Sequence, residues 1–192
     1  EMDRRKALKN IGNGIGAIAV TPAIVSLFQS CQTSATYAPL FIPKDDFKIF
    51  SNLMEMIIPK TDIPGAIELK LPEFVDAYID AVWDEKRKTD FKEAWTAFIS
   101  SSNKAAGKKN ADDLSTADWD AQLAKYLKPG NAVPADEILA AQFVNQLRSL
   151  TVNAFKTNEF IGEEVLAYAP NPGEQKGCVN LMETTGGKAW SL

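Results

Sequence analysis

Leu71-Pro-Glu-Phe-Val-Asp-Ala-Tyr-Ile-Asp-Ala-Val-Trp83 decides the class of this fold. Its apolar residues are Phe74, Val75, Tyr78, Ile79, Val82 and Trp83. Adjacent pairs recurring at that spacing draw a two-wide apolar stripe on a helix, whereas a half-buried strand would alternate. Pro72 suits the first helical turn, where its missing N–H takes nothing from the ladder. On the N-terminal side, Phe47, Phe50, Leu53, Met54, Ile57 and Ile58 fit one face of an earlier helix that ends at Pro59. A turn-rich loop, Pro59-Lys-Thr-Asp-Ile-Pro-Gly-Ala66, joins the two.

The C-terminal side reads the same way. A third helical pattern runs Phe91, Ala94, Trp95, Phe98 and Ile99, then dissolves into Ser100-Ser-Ser-Asn103. Ser115-Thr-Ala-Asp118 is a capping-type helix start, followed by Trp119, Leu123, Tyr126 and Leu127 and stopped by Pro129-Gly130. The longest helix is expected from about Pro134 to Thr157, with Leu139, Phe143, Leu147, Leu150 and Ala154 on one face. No alternating run is long enough for a strand. The fold class is therefore all-α: a bundle of about five helices with an extended, irregular C-terminal tail and an N-terminal signal or anchor helix. Aromatic residues at helical spacing are assigned to the core. The expected organisation is a signal or anchor over 1–31, a linker over 32–43 and a helical domain over 44–192, whose tail starts at about 160.

The tail carries Phe160-Ile-Gly-Glu-Glu-Val-Leu-Ala-Tyr-Ala-Pro-Asn-Pro-Gly173 and then Lys176-Gly-Cys178. It has no helical or strand period, yet it is apolar. Such a segment must lay its backbone against the chain's own core or against a partner. Tyr168, Pro170, Pro172, Cys178 and Trp190 are the candidate partner contacts. Proline fixes an extended shape before docking, and aromatic rings supply contact area with few rotatable bonds.

The N-terminus reads as an address. Arg4, Arg5, Leu8 and Lys9 supply the elements of a twin-arginine export signal, and the uncharged stretch from Ile11 to Phe28 is diluted by Gly12, Gly14, Gly16 and Pro22. The twin-arginine route carries folded cargo, and weak hydrophobicity suits it. Cys31 follows the apolar stretch after Ser30 and is a candidate lipidation site. The same stretch can instead remain as a membrane anchor, near the lower length limit for a span. Either way the basic residues keep the N-terminus cytoplasmic and send the body outward, to a periplasmic or membrane-anchored location.

Composition narrows the chemistry. The net charge of −4 and the lack of a basic stripe argue against nucleic acid. The chain has no histidine, so no imidazole base, His haem ligand or His-based zinc site exists. Cys31 and Cys178 are too far apart in sequence for a CxxC motif, and no Gly-rich nucleotide fingerprint is present. The adjacent pairs Glu163-Glu164 and Asp112-Asp113 point apart on any regular element and make poor acid–base dyads. No catalytic, cofactor-binding or metal-binding residue is assigned. If the chain were an enzyme, Cys178 would be its nucleophile or redox thiol, with Lys176, an arginine or a helix N-terminus lowering its pKa.

Three stretches resemble the gluconate 2-dehydrogenase subunit 3 family. They are Glu55-Met-Ile-Ile-Pro-Lys-Thr-Asp-Ile-Pro-Gly-Ala66, the passage from Phe155 to Gly162, and Leu166-Ala-Tyr-Ala-Pro-Asn-Pro-Gly173 with Gly177-Cys178 and Ala189-Trp-Ser191. The resemblance implies a non-catalytic small subunit. Its partner would be a large flavoprotein of the glucose–methanol–choline type that holds FAD and oxidises a sugar, sugar acid or glycoside, often with a c-type cytochrome subunit as electron acceptor. It also implies that the small subunit binds, stabilises and co-exports the large one. The sequence departs from the family pattern at Glu163-Glu164 and Glu174-Gln-Lys176. The alternative is a free-standing periplasmic or lipoprotein binding module, whose tail would fold on its own bundle.

Overall fold

A computed structural model describes residues 37–128, 133–169, 173 and 178–191. The chain divides into two units, Glu1–Ala38 and Pro39–Leu192, and the helices among the described residues belong to the second. They are α1 (Phe47–Ile57), α2 (Leu71–Val82), α3 (Glu85–Ala106), α4 (Thr116–Leu127) and α5 (Ile138–Lys156), then a π-helical turn over Ile161–Val165 and a short α6 (Leu181–Thr185). The all-α class and the five long helices agree with the hydrophobic period. The expected signal or anchor segment, with Arg4, Arg5, Leu8, Lys9 and Cys31, lies outside the described residues.

Helix α5 packs against each of α1 to α4. Ala140, Ala141 and Ala154 let neighbouring backbones approach, while Phe143, Val144 and Leu147 are fully buried. The ring of Phe143 lies 5.3 Å from Phe91, 5.1 Å from Trp95 and 5.1 Å from Phe98. Phe98 extends the cluster to Trp119 at 5.8 Å and Tyr126 at 6.4 Å on α4. Trp95 reaches Phe50 of α1 at 6.4 Å, and Phe91 reaches Trp83 at 5.5 Å. Most of these pairs are tilted or edge-on, while Phe98 and Trp119 stack with planes 29° apart, and rings at such separations attract.

Three expectations about the long helices change. Helix α3 does not end near Ser100 but continues to Ala106, where Gly107 closes it with φ 65°. The hydroxyl of buried Ser102 donates to the Phe98 carbonyl at 2.7 Å, and Ser101 shares a hydrogen bond of 2.8 Å with the Tyr126 hydroxyl. The serines therefore find partners inside the helix and across it, so they need not break it. Leu139, expected on the buried face of α5, is exposed, because the core begins one residue later at Ala140. The stripe of α2 splits. Leu71, Val75, Ile79 and Trp83 are buried, whereas Phe74, Tyr78 and Val82 are exposed, so Phe74 and Tyr78 are not core. A helix covered from one side buries one row of its apolar residues and leaves the adjacent row in water.

Carboxylates order the irregular segments. Asp76, fully buried on α2, accepts backbone N–H bonds from Leu40 at 2.7 Å, Phe41 at 3.1 Å and Ile42 at 2.7 Å. The segment that the sequence reading places in the linker is thereby pinned to the bundle, with Phe41 and Ile42 in the core. Glu55 does the same for the Pro59–Ala66 loop, accepting from Lys60 N–H at 3.1 Å and Ile67 N–H at 2.8 Å. Gly65 lies so close that a Cβ there would stand 2.2 Å from Glu55 Oε1. At the start of α4, Ser115 and Asp118 form a reciprocal capping box, and Lys108 Nζ donates to the Asp118 carboxylate at 2.8 Å.

Asp76→Asn turns an acceptor oxygen into an NH2 group facing buried N–H donors, so it should cost about 2 kcal/mol. Urea unfolding should show a lower midpoint with an unchanged slope; an unchanged midpoint would remove Asp76 from this role. For Asp118, hydrogen bonds from Lys108 and Ser115 hold the carboxyl well below its ordinary range. A depressed folded pKa stabilises above the ordinary carboxylate pKa and loses that contribution as pH falls towards the folded value. Asp118→Asn should therefore be less stable than the parent at neutral pH, and the gap should narrow progressively below about pH 4. A gap that does not vary with pH in equilibrium unfolding contradicts this account.

Candidate partner interface

The tail begins where α5 runs out. Thr157 N–H bonds back to the Asn153 carbonyl at 3.0 Å, and the Asn158 carbonyl accepts Gly162 N–H at 2.8 Å. The chain then takes one π turn, closed by Leu166 N–H on the Ile161 carbonyl at 2.9 Å. Ile161 and Gly162 are buried, and a Cβ on Gly162 would meet the Ser191 hydroxyl at 3.2 Å. This turn is a local helical feature within the stretch read as wholly irregular.

Past the turn the backbone is extended, and the C-terminus returns to meet it. Ala167 N–H donates to the Ala189 carbonyl at 2.8 Å, and Ser191 N–H donates to the Ala167 carbonyl at 2.9 Å, a parallel bridge between Ala167 and Trp190. Lys188 Nζ adds a bond to the Glu164 carbonyl at 2.8 Å. Between the two arms sits α6, capped by the Asn180 side chain on Met182 N–H at 3.0 Å and ended by Gly186 at φ 65°. The result is a clip held by main-chain hydrogen bonds.

Its side chains face water. Tyr168 is 52% exposed and Trp190 47%; Phe160, Val179, Leu181 and Met182 are exposed as well, and no residue of α6 is buried. Cys178 is exposed. Pro170 and Pro172 lie outside the described residues. The structure thus brings Tyr168 and Trp190 to the two sides of one backbone bridge. Single exposed apolar residues are ordinary on any protein, but six within one short tail are not.

A second apolar surface lies on α2, where Phe74 is 53% and Tyr78 39% exposed and their rings stack at 6.3 Å. They form one wall of a groove of about 480 Å³, and Asn145, Ser149 and Asn153 of α5, with Thr157 just past its end, line the other. Thr157 also lines a smaller cleft with Gly162, Tyr168 and Ser191, so the groove and the tail clip adjoin. Phe74 and Tyr78 carry no sequence signal that sets them apart, because the two rows of the α2 stripe look alike until a neighbour covers one of them. Leu181 and Met182 carry none either, because their short helix shows no apolar period.

The perturbed titrating groups lie elsewhere. Burial pushes the Tyr126 phenol up, and Lys125 holds the Glu137 carboxyl down. Tyr126 bonds Ser101 and Glu137, tying α3, α4 and the turn before α5 together. None of these four residues lines the groove or the tail cleft. Among the described residues, no three Cys, Asp or Glu side chains are grouped so as to hold a metal ion, and no helix is long and apolar enough to cross a membrane.

The model of the family described as gluconate 2-dehydrogenase subunit 3 matches residues 44–173. The match takes in α1 to α5, the π turn and Tyr168; Cys178, α6 and Trp190 lie beyond it. Comparison with curated proteins and with solved structures finds no match.

Because no side chain of α6 is buried, removing residues 177–192 should leave the bundle folded. Far-UV circular dichroism should lose only the small contribution of α6, and the unfolding transition should stay cooperative. Loss of the bundle's helical signal would make the tail part of the core.

Proposed function

The chain belongs to the gluconate 2-dehydrogenase subunit 3 family, and from that premise we propose that it is the non-catalytic companion of a large FAD-dependent dehydrogenase, which it binds, stabilises and exports. Membership makes it a subunit of a dehydrogenase complex. The partner in this reading is a glucose–methanol–choline type flavoprotein acting on a sugar, sugar acid or glycoside, with a c-type cytochrome subunit receiving its electrons. FAD resides in the partner, and the complex is periplasmic, free or anchored through the N-terminal segment.

The family match across α1 to α5 is the observation that carries the reading. Physical reasoning supports it. A flavoprotein that takes up FAD in the cytoplasm must cross the membrane folded, so its export signal can reside on a tightly bound companion. Arg4 and Arg5, with Leu8 and Lys9, are suited to that signal. Permanent complexes bury large apolar areas with aromatic anchors. Tyr168, Trp190 and their neighbours in the tail offer such anchors, exposed in the chain by itself. The companion needs no chemistry of its own, and a chain without histidine is compatible with that.

The test replaces Arg4 and Arg5 together by lysine, which keeps the charge and loses the paired guanidinium groups. Both this chain and its flavoprotein should then stay in the cytoplasm, and periplasmic dehydrogenase activity should fall to background. Activity at the parental level in the periplasm would refute the export role. The chain purified by itself should carry no flavin absorbance; stoichiometric flavin there would refute the companion role.

A further inference from the structure

We propose that the groove between α2 and α5 seats an extended segment of the large flavoprotein, with an apolar side chain on the Phe74–Tyr78 pair and a carboxylate on Arg87. This rests on the companion reading above and names the surface and the kind of segment it takes.

The first wall is a preformed platform. Phe74 and Tyr78 stack with their planes 20° apart, and the opposite row of α2, Val75 and Ile79, is locked in the core. Docking against such rings freezes few rotamers, so the contact area converts well into affinity.

The second wall carries hydrogen-bonding groups and no charge. Asn145, Ser149 and Asn153 recur every fourth residue along one row of α5, and Thr157, the residue that closes the helix, continues the row. The Asn145 NH2 is already engaged on the Ala141 carbonyl at 2.9 Å, which leaves its carbonyl oxygen free to accept. The side chains of Ser149 and Asn153 make no hydrogen bond among the described residues, so they can donate and accept. At 1.5 Å per residue the row is roughly 18 Å long, a length covered by about five or six residues of extended chain. Uncharged amides and hydroxyls on a fixed rail suit main-chain N–H and C=O groups, which an extended segment presents along its length.

The third feature sets the charge. Arg87 lines the groove, its guanidinium 4.0 Å above the ring of Trp83. Its neighbours are paired, Lys86 with Asp90 at 2.7 Å and Lys88 with Asp80 at 3.5 Å, while Arg87 has no carboxylate within salt-bridge reach among the described residues. No acidic side chain lines the groove. A stacked, pre-oriented guanidinium is the group best suited to hold a carboxylate by two parallel bonds. Finally, the groove adjoins the tail clip at Thr157 and lies within the family-matched residues, so one partner can cover both surfaces.

The experiment uses the full chain, tagged in its source organism, with a photo-crosslinking phenylalanine analogue in place of Tyr78. After irradiation, mass spectrometry should find Tyr78 joined to one segment of the co-purifying flavin-bearing subunit, and that segment should contain Asp or Glu. Tyr78→Ser and Arg87→Glu should each weaken the complex about tenfold or more, with the helical circular dichroism and cooperative unfolding retained. Reversing the charge of the segment's acid should restore binding to Arg87→Glu. A crosslink to a second copy of this chain overturns the proposal. So does undiminished binding by Tyr78→Ser and Arg87→Glu while the flavoprotein still co-purifies, an outcome that leaves the companion reading standing. If no flavin-bearing subunit accompanies the parent chain, the companion reading fails and this proposal fails with it.

Discussion

Everything in this structure hangs on the burial of Phe143 among the aromatic rings of α3. Helix α5 supplies Phe143, and α3 supplies Phe91, Trp95 and Phe98, each with its ring centre within 5.3 Å of it. These are the longest helices among the described residues, and their contact is the axis on which the others are laid. Helix α1 adds Phe50 against Trp95, α4 adds Trp119 and Tyr126 against Phe98, and the end of α2 adds Trp83 against Phe91. Large flat side chains bury much area per residue, so a chain of this size can close a core with few helices. They also restrict geometry, because tilted and edge-on contacts tolerate little sliding.

Where the chain leaves its helices, carboxylates take over. Asp76 collects three consecutive main-chain N–H groups, Glu55 collects two from the ends of one loop, and Asp118 closes a capping box. Each is the same solution to one constraint. Backbone polar groups that leave a helix ladder near a core must find partners, and the two oxygens of one carboxyl group satisfy several at once. The Glu55–Ala66 stretch, which carries part of the family resemblance, is thereby explained by structure. Its glutamate organises the loop, and its glycine is required because the loop backbone passes against that carboxylate.

The molecule divides its apolar residues between two uses. The inner row of α2, with α1, α3, α4 and α5, makes a closed interior. The outer row of α2 and the side chains of the tail remain in water, although main-chain hydrogen bonds hold both in defined positions. Rigid backbone with exposed aromatic side chains is what a docking surface requires, since the cost of ordering has already been met in folding. The proposed companion role draws on that arrangement.

The sequence by itself determined the all-α class, the places of the long helices and the family. Helical period, proline, capping residues and short motifs are local signals, and local signals survive in a bare string of residues. The run from Ser115 to Leu127 and the start of α2 at Leu71 were legible for this reason. The extension of α3 through its serines was not, because Ser101 has its partner on α4, distant in sequence. Nor was the fate of Phe74 and Tyr78. A two-wide stripe says that a helix is apolar on one side and is silent about how much of that side a neighbour will cover. The candidate site was legible only in part: Tyr168 and Trp190 stood out as residues, but that they flank one bridge, beside a groove built by α2 and α5, is a product of tertiary packing. Contacts between segments far apart in the chain decide which apolar residues are left over, and no local pattern encodes a remainder.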